Sequence, residues 1–594
     1  MPPSPLEDTE GPVRVSVFSD GKPISEEVLL ISVTVRRAVN KVPSATLVFL
    51  DGNMPEQTFP ISDATTFSPG TKVTLEAGYG DNLTAIFGGI VVSQGLTIRG
   101  ENEARLVVEC RDEAVRLSIG RKNALYEDQT DSDIMSALIA SHGLQTDVSA
   151  TSVRYGSLVQ HDCTDWDFLL ARAQANGHLV LVEDGKVTVG PPQFNGTAVL
   201  TVTYGQSLID FRADLDARHQ YASVQAQAWD VKAQAIVHSK EMPPVTPTPQ
   251  GNLDSATLAQ VLGSAGIRLQ TGAAWPKEAL DSWAAAHQLK SGLSRLRGTM
   301  KFQGSALARV GALVELEGVG SRFSGSVYAT GLTHRIGEGS WTTVVNFGAP
   351  VEWLNDQTNV PAPAAAGRVP GIGGLHVGIV VKLDEDPEAE HRIQVKVPTA
   401  NIERVWARLL QSHASKAFGA FFVPEVGDEV VLGWFNDDPG FPVVLGSMYS
   451  SRRPPPYALA ATNNTKAIVT RSQARLEFDD ENKVITLSKP GGNRIVISDM
   501  GKSVVLSDQN GNHVELSADG IKLESSKDIQ FKAAGKITLD AVRELSLSSK
   551  ADVKVDGLNV NCHAQVGIVA KGSATAELSA SGQTTVRGAL VMIN

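Results

Sequence analysis

The stretch IKLESSKDIQFKAAGKITLDAVRELSLSSKADVKVDG (residues 521–557) decides the fold of the C-terminal part of the chain. It is a run of apolar-x-apolar triplets, Ile521 and Leu523, Ile529 and Phe531, Ile537 and Leu539, Leu545 and Leu547, Val553 and Val555, starting eight residues apart. Further triplets start at Val560, after an interval of seven, and at Ile568, Ala576 and Thr584 at intervals of eight. In an extended chain residues i and i+2 share a face, so each triplet offers two apolar side chains to one side. A fixed period over many units marks a solenoid or array. Eight extended residues at about 3.3 Å each span roughly 26 Å, enough for one strand and one corner but not for a coil closed around a core. If three chains each supply one face, a turn holds about 24 residues and the ten side chains just named meet on a common axis. The expectation is an intertwined trimeric β-helix, or β-prism, over residues 466–594. Upstream, Leu476, Ile485, Ile495, Val504 and Val514 begin similar triplets at looser spacings, with Gly492, Gly501, Gly511 and Gly520 at the turns. Stacked at about 4.8 Å per strand, thirteen or fourteen triplets give a shaft of roughly 60–70 Å. A single-chain β-helix with three triplets per coil satisfies the same spacing, as does a sandwich of short strands, although nothing in the chain suggests a helical cap for the former.

The remainder of the 594 residues reads as several folding units, about four at roughly 150 residues each. With 42% hydrophobic and 20% charged residues the chain is neither disordered nor collagenous. No apolar run approaches the length of a membrane helix, and MPPSPLEDTEG lacks the basic and apolar parts of a signal peptide. A net charge of -12 opposes a broad nucleic-acid surface. Cys110, Cys163 and Cys562 are odd in number and far apart, so neither a disulfide framework nor a metal knuckle is expected.

After a tail over residues 1–11, short β-branched runs separated by Gly and Pro turns predict a β barrel or sandwich over 12–240, the first hub unit. Two helices interrupt it. Thr130 and Thr164 each precede an acid by three residues, Asp133 and Asp167, and the helical patterns end at Gly143 and Gly177. The Pro-dense segment EMPPVTPTPQGN (241–252) reads as a domain edge or a long excursion, and a second hub unit over 241–359 contains a helix through 275–298 and further strands. Residues 360–375 have linker composition, 376–450 hold five short strands suited to an OB-type barrel, and 451–465 form a neck. The fold class is therefore mainly β with inserted helices: two β/α hub domains, a five-stranded OB barrel and the C-terminal trimeric β-helix.

The segments HRIQVKVP (391–398), VWARLLQSHAS (405–415) and FFVPEVGDEVVLGWFNDDPGFPVVLGSMYSSRRPPP (421–456) resemble the barrel and neck of VgrG-like central spike proteins. Those proteins belong to contractile injection systems: type VI secretion, contractile phage tails and extracellular phage-tail-like particles. FSPGTKV, IFGGIV and TDWDFLLARAQANG are similar to the hub domains of the same family, which form a pseudo-six-fold ring as a trimer. The resemblance implies a homotrimer that caps and initiates the inner tube, contacts baseplate components and crosses a target membrane on sheath contraction, with toxin cargo possible. It also implies cytoplasmic assembly followed by incorporation into an extracellular or secreted particle. The short neck and the strand-patterned end VRGALVMIN (586–594) leave no room for an enzymatic module. In the family such an end is a platform for a PAAR-type tip protein, which makes Gly588, Ala589, Leu590, Val591, Met592, Ile593 and Asn594 the expected docking surface. A self-made metal apex is not expected from His563 alone.

No catalytic, cofactor or metal residue is assigned. Asp479, Asp480 and Glu481 have the chemistry of a glycoside-cleaving carboxylate pair, as in a polysaccharide-degrading tailspike, but FDDENKVITL reads more simply as a polar turn. Trp406, Phe421, Phe422, Trp434 and Phe435 could stack on single-stranded nucleic acid. Interleaved Glu425, Asp428, Glu429, Asp437 and Asp438 would repel phosphates, so these aromatics are expected in the barrel core and no nucleic-acid partner is expected. Ser157, His161 and Asp162 are near one another in sequence without a nucleophile motif, and the glycines of GRVPGIGG open no helix.

Overall fold

In the computed structural model, which describes residues 2–593 apart from 8, 26, 101, 102, 264, 265, 358 and 359, a sheet of thirteen strands organises the N-terminal part. The chain divides into two units, Met1–Met448 and Tyr449–Asn594. The sheet order is Leu208–Leu215, Leu296–Gln303, Ser340–Phe347, Gly325–Gly337, Leu30–Ala38, Lys41–Leu50, Glu103–Arg111, Asn82–Arg99, Lys72–Tyr79, Val13–Ser19 and Lys22–Pro23, with Leu200–Thr203 and Leu313–Glu317 off this path. Alternation drives it. Along Lys41–Leu50 every second residue is buried, and Ala45, Leu47 and Phe49 join Leu75, Phe87 and Val108 in one core. A second core gathers Met300, Phe302, Val314 and Val345. The halves join where His334 faces Val35 across antiparallel strands. Leu208–Leu215 pairs with Leu296–Gln303, so the hub units divided in sequence at 240/241 share one sheet.

Two inserts project from this sheet. In the first, α1 (Asp131–Ser141) and α2 (Asp165–Ala175) pack with strands Gln145–Val148, Lys186–Gly190 and Leu179–Glu183. The caps are those anticipated. Thr130 Oγ1 accepts from Asp133 N in a full capping box, Thr164 Oγ1 accepts from Asp167 N, and Gly143 and Gly177 follow with φ of 72° and 68°. The helices are also tied by a buried ion pair: Arg172 Nε donates to Asp131 Oδ1 at 2.5 Å and Nη2 to Oδ2 at 3.0 Å.

In the second insert α3 (Ser255–Val261), absent from the sequence reading, precedes α4 (Lys277–Ser294), which packs on strands Ala235–His238, Val224–Asp230 and Ile267–Thr271. Both inserts place a middle strand antiparallel to one neighbour and parallel to the other. The segment 241–252 is an excursion bound to α4: the Val245 carbonyl sits where a Cβ on Gly292 would be, 2.2 Å away. The N-terminal tail is tied as well, Thr201 N donating to Pro3 O at 2.9 Å. So is the linker, through Arg121 Nη1 to Val360 O and Pro361 O, both at 3.3 Å, and Ile372 N to Asp437 O at 2.8 Å.

Strands His376–Lys382, Ile393–Val397, Ile402–Leu409, Pro442–Ser447 and Glu429–Trp434 close a barrel in that order, with Ile402–Leu409 and Pro442–Ser447 parallel. The first strand pairs with both the second and the fourth in sequence, the five-stranded closure of an OB fold. Its core is Val380, Ile393, Val395, Val397, Ala407, Val430, Leu432 and Val444.

The second unit has two parts. Seven strands, Thr465–Val469, Arg475–Asp479, Val484–Ser488, Arg494–Ser498, Ser503–Ser507, His513–Ser517 and Gly520–Glu524, form an antiparallel meander. This corrects the intertwined reading for residues 466–524, where neighbouring strands of one chain pair with each other. From 525 to 593 there is no strand pairing among the described residues, and every side chain is exposed apart from that of Ser525.

Candidate assembly surfaces

The meander gathers its triplets on one face. Directly opposed residues share a face, and the register runs Phe478 to Ile485, Ile485 to Ile497, Ile497 to Val504, Val504 to Leu516 and Leu516 to Ile521. A second row runs Leu476, Leu487, Ile495, Leu506, Val514 and Leu523. Each strand thus contributes its triplet pair to one surface, and within the chain that surface is open: Leu487 is 50% exposed and Ile521 77%. The other face is mixed: its central row runs Glu477, Thr486, Val496, Val505 and Glu515, with Val484 opposite Ser498 beside it.

Each hairpin turn of the meander has a residue with positive φ, at Gln473, Lys483, Gly492, Lys502, Gly511 and Gly520. Tight reversal demands this conformation. Side chains brace several turns. Asp508 Oδ1 accepts from Asn510 N at 2.8 Å and Asn512 N at 2.9 Å, which holds its carboxyl down at about 2. Asp479 Oδ1 accepts from Glu481 N and Asn482 N, both at 3.1 Å.

The octad region has the same triplets and none of these turns, for no described residue after Gly520 has positive φ. Of the side chains expected on a trimer axis, Ile521 and Leu523 lie on the last meander strand, and Ile529, Phe531, Ile537, Leu539, Leu545, Leu547, Val553 and Val555 lie on the unpaired stretch, all exposed. The expected tip surface, Gly588, Ala589, Leu590, Val591, Met592 and Ile593, is exposed too, while Asn594 lies outside the described residues.

The barrel aromatics depart from expectation. Phe421 is 86% exposed, and Phe422 and Phe435 are exposed as well; only Trp434 packs against the barrel core, and Trp406 is half-buried. The reason is a hairpin that the run AFGAFF conceals. Ala414–Ser415 pairs with Phe418–Gly419 around Ala417 at φ 65°, and Gln411 Nε2 donates to Phe422 O at 3.1 Å, which lifts the Phe421 and Phe422 rings off the barrel, while Phe435 lies on the separate turn Phe435–Asp437. Phe418 and Phe441 add to the exposed apolar surface.

The remaining candidates do not converge. Asp479 serves its turn, Asp480 pairs with Lys466, and Glu481 Oε2 accepts from Asn464 Nδ2 at 3.0 Å. His161 Nδ1 lies 3.2 Å from Asn123 Oδ1, which also accepts from Asp162 N. Cys110 is buried, its thiol pushed up to about 12 by burial and by Glu109, and Cys562 is exposed. No cluster of His, Cys, Asp and Glu suited to a metal occurs among the described residues. No described helix is long and apolar enough to cross a membrane.

Comparison with known proteins follows the same division. Residues 376–449, the closed barrel, match the family described as the type VI secretion system/phage-baseplate injector OB domain. The type VI secretion system spike protein VgrG1a of Pseudomonas aeruginosa is 27% identical over 92 residues, 16% of this chain and 14% of that protein. VgrG3 of Vibrio cholerae is 30% identical over 81 residues, 13% of this chain and 8% of that protein. The aligned segments thus span less than a sixth of either relative. The E. coli c3393 protein, a component of the type VI secretion system, aligns in structure over 73% of this chain and 99% of its own, at 13% identity and a TM-score of 0.38. Residues 9–338 match the family described as the Alg8 N-terminal domain. Since that match spans more than half of the 594 residues, the chain belongs to the Alg8 N-terminal domain family, and residues 376–449 give it an injector-type OB barrel similar to that of VgrG spike proteins.

Proposed function

We propose that this chain is the central spike and baseplate hub of a contractile injection system, acting as a homotrimer without chemistry of its own. One observation carries the reading: downstream of an injector-type barrel, residues 525–593 repeat mostly apolar triplets at intervals of eight, with one of seven, and have no strand pairing within the chain. Backbone amides and carbonyls without partners, flanked by exposed aliphatics, are a template for other chains. Two buried aliphatics per triplet, at about 1.5–3 kcal/mol each, favour association strongly once three copies share an axis. In this reading the hub caps and initiates the inner tube, the last residues, 588–594, seat a PAAR-type tip, and the shaft crosses the target envelope when a sheath contracts. The tube protein, baseplate components and any toxin cargo are its partners.

Light scattering on the purified chain tests this. The expected mass is about three times 63.1 kDa, and removal of residues 525–594 weakens or abolishes the trimer. A stable full-length monomer overturns it. For the tip, deletion of 588–594 is expected to abolish capture of a PAAR-type protein while the trimer persists; retained capture moves the docking site elsewhere. The tailspike alternative gains nothing from the structure, because Asp479, Asp480 and Glu481 are spent on a turn and its neighbours.

A further inference from the structure

A cavity of about 850 Å³ lies in the first unit between α2, α4 and the sheet end formed by Leu208–Leu215 and Leu296–Gln303. The spike reading makes no use of it, and its size falls within the roughly 300–1,000 Å³ common to ligand clefts. Leu170, Leu289, Leu293 and Phe347 supply apolar lining, together with the rings of Trp166 and Trp353. Four basic side chains also line it: Lys41, Arg212, Lys290 and Arg297. Among the described residues only Arg297 has a carboxylate in reach, Asp216 at 3.2 Å.

Lys290 Nζ stands 4.5 Å over the Trp353 ring and donates to the Glu352 backbone oxygen. Burial draws this ammonium down to about 8, against the pull of Asp356 and Glu352. Of the acids in the lining, Asp167 is held by the Thr164 hydroxyl at 2.7 Å, and Asp214 and Glu352 are exposed to water. A cation partly withdrawn from water without an ion pair is stabilised by an incoming anion more than an exposed one is. An apolar wall with two indoles favours a ligand whose body is apolar.

We propose that this cleft binds an amphipathic anion, an aliphatic or aromatic body ending in a carboxylate or phosphate, whose head is held by Lys290 and Arg212 and whose body lies against Trp166 and Trp353. That chemistry is shared by a fatty-acid-like small molecule and by a protein chain end with a free α-carboxylate. The site is independent of the spike reading and stands or falls separately.

The test is calorimetric titration of the full chain with decanoate and with decyltrimethylammonium, both below their micelle concentrations, and with the peptide acetyl-Leu-Leu-Phe as free acid and as amide. Saturable binding of decanoate or of the free-acid peptide is expected, with the cation and the amide at least tenfold weaker. Whichever anion binds more tightly identifies the source. Arg212→Gln and Lys290→Met are each expected to weaken binding about tenfold, as loss of a charge-assisted hydrogen bond does. Arg212 is exposed, so its variant tests the site even if the Lys290 variant unfolds. Absence of saturation, equal binding of the cation, or unchanged affinity in a folded Arg212→Gln protein overturns the proposal.

Discussion

Residues 465–524 and 525–593 are written in the same local code and take different structures. Both place aliphatics at i and i+2, and along the strands of 465–524 this lines the triplet pairs up on one surface. They differ in what lies between the triplets. In the meander, strands begin nine or ten residues apart through Gly520, apart from a last interval of seven, and each turn contains a positive-φ residue, so the chain reverses and satisfies its own backbone. In the octads the period is shorter, no described residue has positive φ, and the backbone of one chain finds no strand partner. Side-chain pattern therefore sets which face gathers the triplets, while the connector decides whether strands pair within the chain.

The largest expected effect comes from changing the charge of the two regions in turn. Leu539→Asp with Leu547→Asp is expected to abolish trimerisation, since each would bury an unpaired carboxylate at the axis of three chains. Glu477→Gln with Glu515→Gln, on the meander face opposite the triplets, should leave the mass unchanged; light scattering reads both. A trimer that survives the double Asp variant breaks the proposed difference between the regions.

The next effect is conformational. Gly511 has φ of 86°, so Gly511→Ala is expected to cost about 1–2 kcal/mol by denaturant melting of the meander. Gly535 in the octads has no such requirement and open space around its Cα, and Gly535→Ala should change stability by less than about 0.5 kcal/mol. Equal costs would show that both regions depend on the same kind of turn.

The smallest effect is set by pH. The Asp508 carboxyl lies near 2 in the folded turn against 3.8 ordinarily, because backbone and side-chain hydrogen bonds from Asn512 and Asn510 outweigh its desolvation. Its contribution is present above about pH 4 and is lost as pH falls through about 2. Acid should thus open the 508–512 turn, seen as faster amide exchange at Asn510 and Asn512, and Asp508→Asn should remove that dependence. An unchanged acid response in Asp508→Asn would detach the carboxylate from the turn.

Legibility followed the range of the interactions involved. The caps at Thr130 and Thr164, the stops at Gly143 and Gly177, and the five barrel strands are local signals, and all are present. The pairing of Leu208–Leu215 with Leu296–Gln303 is not local, because strand propensity says nothing about a partner beyond an intervening insert. Phe421 and Phe422 read as core because apolar residues beside strands resemble it, whereas the hairpin turning at Ala417 leaves them exposed. After residue 465 the triplets are legible throughout, but the difference between 465–524 and 525–593 is not, because the period of the triplets carries no information on turn conformation.

Amide hydrogen exchange over residues 525–593 tests the central claim most directly, with the full-length assembly compared with the same chain diluted until it dissociates. The account predicts slow exchange at the triplets in the assembly and fast exchange in the separated chain, with residues 465–524 retaining some protection in both. Slow exchange of the octads in a single chain, or fast exchange in the assembly, would contradict it.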